Sequence, residues 1–362
     1  MNIERLAAAP GVGPGVPGVR IMLRRIFWIL GIILGLALGA ALLGPFLIST
    51  QSLAGREPAS AAATPQSRFV EIPFPGIQGI ELHYLMAGPE NPPADAPVFI
   101  LLHGFTFNAF TWRPALDFFA RQGRVFAFDQ IPYGLSAKLT PTDWDGPNPY
   151  AKEAAIAQLF AFMDALGIQR ATLVGNSSGG TLAMEAALAR PERVERLILV
   201  APWVYAQRPT LPAAVAELPQ LRRISLLIGR KLGEGGLLDY SYADPGRLDE
   251  ERRSLMKIHT RVANWDLAWG ELLNRSLSSP VTVSTRLDQI TQPILLVTGD
   301  QDKLVPVADT RKVAERLPHA TLAVLPGCGH VPQEECPGPF EQAVAGWLRG
   351  SDPDTASPKP PG

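Results

Sequence analysis

Residues 69–350 alternate between two hydrophobic rhythms. Short apolar runs ending in turn residues recur: APVFILLHG at 96–104, RVFAFD at 124–129, ATLVGN at 171–176, VERLILVAP at 194–202, QPILLVTG at 292–299 and ATLAVLPG at 320–327. Apolar runs of this kind predict strands buried on both faces. Between them lie stretches with helical spacing: WRPALDFFARQG at 112–123, YAKEAAIAQLFAFMDALG at 150–167, GGTLAMEAALAR at 179–190, PVADTRKVAERLP at 306–318 and FEQAVAGWLRG at 340–350. In the second of these, Ile156, Phe160, Met163 and Leu166 share one face and Gly167 closes the helix. Two earlier runs, FVEIPF at 69–74 and IELHYLMAG at 80–88, predict strands that pair antiparallel. Strand and helix in alternation predict an α/β fold, a mainly parallel sheet with helices on both faces. Residues 203–288 break the alternation. They are mostly helical in pattern and sit between two strands, where a long insertion is expected to form a helical lid over the strand ends. The core is then 69–202 with 289–350.

The N-terminus reads differently. Residues 1–25 are expected to be a flexible basic segment, with Met22 a second candidate start, and Arg20, Arg24 and Arg25 precede an uncharged run at 26–48. At about 1.5 Å per residue this run is long enough to cross a hydrocarbon core of roughly 30 Å. Its length favours a retained transmembrane anchor over a cleaved signal peptide, whose apolar core is usually only about 7–15 residues. Ser52 and Ala54 are the small residues a cleavage site would use, and cleavage would give a secreted protein. The arginines on the N-terminal side put the body of the protein outside the cytoplasm. Residues 49–68, rich in Ala, Ser, Thr and Pro, read as a linker, and 351–362 as a disordered tail.

Composition narrows the function. Among 362 residues, Lys+Arg 33 against Asp+Glu 34 give a net charge of -1, which lacks the basic footprint of a nucleic-acid binder. Two cysteines exclude a disulfide-dense scaffold and a four-cysteine zinc site. No histidine and carboxylate cluster stands at ligand spacing, so no metal or cofactor is expected. Cys328 and Cys336 flank His330. Spacing alone says nothing about Cβ geometry, and two buried thiols are expected rather than a small-loop disulfide. Oligomeric state is not encoded in any pattern here.

In a parallel sheet, chemistry is sought beyond the carboxyl ends of the strands. ATLV is followed by Gly175-Asn176-Ser177-Ser178-Gly179-Gly180, a G-x-S-x-G turn between strand and helix that would expose the Ser177 hydroxyl. Serine needs a base. Of five histidines, His83 lies in an early strand, His259 in the lid and His319 before a strand. His103 is in the turn HGF, and His330 follows the strand ATLAVL. His330 is at the correct end and lies downstream of both serine and acid. No carboxylate follows VERLILV closely. After QPILLVTG come Asp300 and Asp302. The oxyanion donors expected are the backbone amides of Ser178 and Phe105.

These residues resemble the α/β-hydrolase superfamily, and within it the capped branch of esterases, C–C bond hydrolases, epoxide hydrolases and haloalkane dehalogenases. The motifs are HGF at 103–105, FTW at 110–112, GNSSGG at 175–180, GDQDKLVP at 299–306 and GCGHVPQEE at 327–335. The resemblance implies that Asp302 is the triad acid, with Asp300 shaping the turn, and gives the order Ser177, Asp302, His330. Two departures stand out. Pro132 replaces the first glycine of the family's D-x-x-G-x-G-x-S in DQIPYGLS, which bears on the pocket rim. Val331 stands where C–C hydrolases of this branch have tryptophan. Serine rather than aspartate as nucleophile speaks against the epoxide hydrolases and dehalogenases, and no HGGG motif is present.

The expected function is therefore a membrane-tethered serine esterase acting on a small, apolar ester. C–C hydrolysis by the same fold, or a non-catalytic binding module, are the alternatives. His103, Tyr133, Trp203, Trp265, Trp269 and Val331 are the candidate pocket residues, with Leu226, Leu227 and Ile228 of the lid adding apolar surface.

Overall fold

The structure, a computed structural model, describes residues 17–53, 57–89, 93, 96–205, 210–317 and 319–350. Most of the basic N-terminal segment and the whole C-terminal tail expected above lie outside the described residues, as does Ala54. The chain divides into two units, one ending at Ser49 and one beginning at Thr50.

The first unit is helix α1 (Pro17–Leu43), continued by a 3-10 turn at Gly44–Leu47. Met22–Leu47 is apolar and long enough to cross a membrane by length and composition.

The second unit is built on an eight-stranded sheet: β1 (Ser67–Phe74), β2 (Ile77–Ala87), β3 (Val98–Leu102), β4 (Arg124–Phe128), β5 (Ala171–Asn176), β6 (Val194–Val200), β7 (Ile294–Gly299) and β8 (Ala320–Leu325). The strands lie in the order β1-β2-β4-β3-β5-β6-β7-β8. β1 and β2 pair antiparallel, as does β2 with β4, and every later pair is parallel. The continuous apolar runs occupy the middle. In β3 all five residues are buried, and alternate side chains serve opposite layers: Ile100 and Leu102 join one cluster, Phe99 and Leu101 the other. The outermost β8 is only half-buried, with Leu325 as its one fully buried residue.

A short helix α2 (Ala59–Ala62) precedes the sheet. α3 (Arg113–Ala120), α4 (Lys152–Ala165) and α5 (Ser178–Ala189) connect the first strands. In α4 the deepest residues include Leu159, Phe160, Phe162 and Met163, while Ile156 and Leu166 are half-buried, so the apolar face is broader than its expected stripe. Between β6 and β7 lie α6 (Ala213–Ala216), α7 (Pro219–Gly233), α8 (Glu250–Met256) and α9 (Trp265–Ser276), with 3-10 turns between. α10 (Val307–Arg316), α11 (Pro332–Glu335) and α12 (Pro337–Gly350) complete the body.

The expected linker at 49–68 is not a free tether throughout. Ser52 Oγ and the Leu53 amide donate to the buried Asp266 carboxylate of α9, at 2.9 and 3.1 Å. Arg230 of α7 bonds the same carboxylate (Nε–Oδ2 2.9 Å) and also the Gln51 carbonyl (2.7 Å). Glu57 pairs in register with Val262 and is ion-paired to Arg261, and Ala62 is buried. Small and polar residues lend this strap no apolar period, because its hold on the insertion comes from hydrogen bonds.

Candidate active site

The sheet reverses its winding direction between β3 and β5: the chain goes from β3 outward to β4, then back across to β5. Ligands in such sheets bind at this switch point, beyond the carboxyl ends of the strands. Leu102 pairs with Gly175, so the turns after β3 and β5 leave the sheet side by side. Ser177 stands in the second turn at φ 53°, ψ −118°, a conformation rarely adopted by a residue with a side chain. The turn is held from all sides. The Ser177 amide donates to the Val200 carbonyl (2.9 Å), and its own carbonyl accepts from Gly180 (3.0 Å) and Trp203 (3.1 Å). Glycine at 179 is a steric requirement: a Cβ there would lie 2.2 Å from the Leu102 carbonyl oxygen. Gly104, in the neighbouring turn, approaches so closely that a Cβ would lie 3.1 Å from that of Ser177. Among the described residues neither the Phe105 nor the Ser178 amide has an acceptor within the protein, so both remain available to a bound oxygen. A Gly104→Ala variant should fold and lose roughly tenfold to a hundredfold in kcat, because the added methyl moves the donor turn away from the serine; steady-state kinetics beside a melting curve measures both.

Asp302 and His330 come from the loops after β7 and β8. His330 Nδ1 donates to Asp302 Oδ2 at 2.8 Å. Asp302 Oδ1 accepts from the amides of Leu304 and Val305 at 2.8 and 2.9 Å, which fixes the carboxylate independently of its partner. Asp300 instead bonds the Gly327 amide (2.7 Å) and shapes the turn. The His330 carbonyl accepts from the Asn176 side chain (3.0 Å), tying the histidine loop to the residue beside Ser177. Ser177 and His330 are 6% and 3% exposed, and among the described residues no hydrogen bond joins their side chains. Such contacts often tighten only when substrate binds.

An alpha/beta hydrolase family model matches residues 99–343, well over half of the chain. The chain belongs to this family. It is 28% identical over 279 residues to a candidate carbamate hydrolase, RutD, of Caulobacter sp. strain K31, covering 72% of this chain and 93% of the relative. A crystal structure of a candidate hydrolytic enzyme from Pseudomonas aeruginosa PAO1 superposes with a TM-score of 0.64 at 26% identity, covering 83% of this chain and 99% of that one. The meta-cleavage product hydrolase of Pseudomonas fluorescens IP01 shares the fold, with a TM-score of 0.59 at 22% identity over 77% of this chain and 97% of that one.

In this alpha/beta hydrolase the insertion meets the site through aromatic rings. Tyr133, Trp265 and Trp269 form one buried cluster, with Phe105 and Leu232 packed against it. The Tyr133 and Trp269 ring centroids are 5.1 Å apart, and Phe105 lies 6.1 Å from Trp269. Trp203 follows β6 beside the serine turn and is 36% exposed. Two expectations change, for His103 and for the lid residues. His103 offers no ring nitrogen to a substrate: Nδ1 bonds the Gly104 carbonyl (2.8 Å), Nε2 accepts from the Gln130 amide (3.0 Å), and burial lowers its pKa, keeping it neutral. Val331, next to His330, is wholly buried, as Trp265 and Trp269 are, and keeps its place among the candidates. Leu226 packs inward, whereas Leu227 and Ile228 are 45% and 46% exposed and do not line a pocket.

Pro132 follows a cis peptide bond, and the loop around it is organised by buried Asp129. Burial alone would raise the Asp129 pKa, yet His83, with the Ala109 amide, holds it down to about 2. His83 Nδ1 lies 2.7 Å from that carboxylate, and the Leu135 amide donates to it at 2.8 Å. His83 thus fastens the loop to β2.

Sequence reasoning missed what holds His330. Cys328 and Cys336 are joined as a disulfide, with Cα atoms 6.1 Å apart, correcting the expected free thiols. The Glu335 carboxylate accepts from the amides of Gly329 (2.7 Å), Ala243 (3.1 Å) and Asp244 (2.8 Å), and the His330 amide donates to the Ser241 carbonyl (2.8 Å). A second glutamate in GCGHVPQEE is the only trace of this clamp in the sequence. Its neighbour Glu334 accepts from the Tyr242 hydroxyl, and burial raises its pKa to about 7. Above about 4.5 the unfolded chain loses this proton while the native state keeps it to about 7, so stability falls across that window as pH rises. Glu334→Gln should remove this loss, on the order of 3 kcal/mol in full, and gain stability over the native protein at pH 8 but not at pH 4. Thermal melts at the two pH values decide it.

Proposed function

We propose that this hydrolase cleaves carboxylic esters through an acyl-enzyme, with Ser177 as nucleophile, His330 as general base and acid, and Asp302 as the orienting carboxylate. The observation that carries this reading is the 2.8 Å bond from His330 Nδ1 to Asp302, made at the strand ends that also present Ser177 in its strained turn. With Nδ1 as donor, Nε2 is the free base. Ser177 Oγ attacks the acyl carbon as Nε2 takes its proton. The carbonyl oxygen becomes an oxyanion, received by the Phe105 and Ser178 amides. The imidazolium gives its proton to the leaving alkoxide, and the alcohol departs. Water then repeats the sequence on the acyl-enzyme and frees the acid. The rings of Phe105, Tyr133 and Trp269 favour an apolar or aromatic portion of the substrate.

Residues 26–48 act as the anchor in this reading, with the catalytic body outside the cytoplasm, supported by the apolar length of Met22–Leu47 and the arginines before it. A carbamate presents the same acyl carbon, so carbamates are the competing class. The test is a panel of p-nitrophenyl esters of rising chain length and their matched N-alkyl carbamates, assayed with the full chain. Ester turnover well above the Ser177→Ala background supports the reading. Background rates on all esters, or carbamates turned over faster than every ester, overturn it.

A further inference from the structure

The inward face of α7 carries Ser225, Leu226, Gly229 and Gly233, which are buried and let α9 approach closely: a Cβ on Gly229 would lie 3.0 Å from the Gly270 amide. On the helical period, Ile224, Leu227, Ile228 and Lys231 fall on the opposite face. There Ile224 is half-buried, and Leu227 and Ile228 are exposed. A surface helix normally turns its large aliphatic residues to the core; this one shows some of them outward. Val215 and Leu218, just before α7, are also exposed.

The covering surface is indicated by the strap. The apolar run ends at Ile48, and Gln51, Ser52 and Leu53 are already bonded to Arg230 of α7 and to Asp266 of α9. A chain extends at most about 3.5 Å per residue, so an anchored protein cannot carry these two helices far from the bilayer. We infer that the outer face of α7 rests in the membrane interface, with Leu227 and Ile228 in the acyl boundary and Lys231 at the headgroups of anionic lipid. This inference rests on the anchor reading above. Its consequence is that ester is taken from the lipid phase at the insertion that covers Ser177.

The native cysteines are bonded to each other, so one added cysteine can be labelled uniquely. The full chain, carrying Ile228→Cys or, at the opposite end of the sheet, Gln122→Cys, is labelled with bimane and reconstituted in phosphatidylcholine–phosphatidylglycerol vesicles containing doxyl lipid. Quenching at 228 about threefold or more above that at 122 is expected for a face at interfacial depth. Equal quenching overturns the inference, as does a copy-to-copy crosslink through 228 without quenching, which assigns the face to a second copy. Alkaline carbonate extraction is run in parallel. Protein retained by the membrane but unquenched at 228 removes this inference alone; protein released by carbonate removes the anchor reading. A Leu227→Gln, Ile228→Gln double variant should lose about tenfold in turnover of vesicle-embedded ester while hydrolysing a water-soluble acetate normally. Equal loss on both substrates counts against docking.

Discussion

Ser177→Ala should reduce ester turnover by roughly 10⁴- to 10⁶-fold, because the remaining groups can orient substrate and stabilise charge but cannot form the acyl intermediate. The change removes one oxygen and keeps the Cβ, so the strained turn and its backbone bonds to Val200, Gly180 and Trp203 have no reason to move. The melting temperature should therefore stay within a few degrees. Fluorophosphonate labelling gives the sharper readout. The native chain should take one equivalent, and the variant none. Persistent labelling of the variant would place the reactive hydroxyl elsewhere and dismantle the mechanism.

Asp302→Asn should cost about 10⁴-fold in kcat without unfolding the protein. The oxygen of the new carboxamide could still accept from the Leu304 and Val305 amides, so the loop would keep its form. Its NH₂ group would then face His330 Nδ1 as a donor and select the tautomer whose Nε2 carries the proton, the wrong one for a base. Substrate binding, read as KM, should change little beside kcat. A variant within tenfold of the native rate would show that Asp302 is not the orienting carboxylate, and Asp300 could not replace it, since its own carboxylate is committed to Gly327.

Much of this arrangement can be read from the chain, for reasons that differ by element. β3 and β5 are unambiguous because strands covered on both faces need uninterrupted apolar residues, and few other structures of five or six residues do. Ser177 is legible because it directly follows such a strand, whereas His330 stands further along the loop after the half-buried β8 and is read from its place downstream of serine and acid. The choice of Asp302 over Asp300 was not legible from spacing, as both follow β7; it took the family pattern, and the structure separates them by their hydrogen-bond partners. What stayed hidden is whatever depends on contacts remote in sequence. Glu335 looks like any acidic residue at a helix start until its three amide donors, two of them about ninety residues away, are seen. Leu227 and Ile228 look like pocket residues because apolar character does not say which way a helix faces. The strap was read as a linker because small, polar residues can bond a surface without announcing it.

The bracket around His330 has a practical consequence for anyone making this protein. Its nine-residue ring must be oxidised before the imidazole loop is closed on itself. Bacterial cytosol keeps thiols reduced, so material produced there would emerge with that loop held by hydrogen bonds alone, those of Glu335, Asn176, Ser241 and Asp302. Specific activity should then vary from one batch to another with the fraction oxidised, and export to the periplasm, or refolding with a glutathione couple, should make preparations uniform.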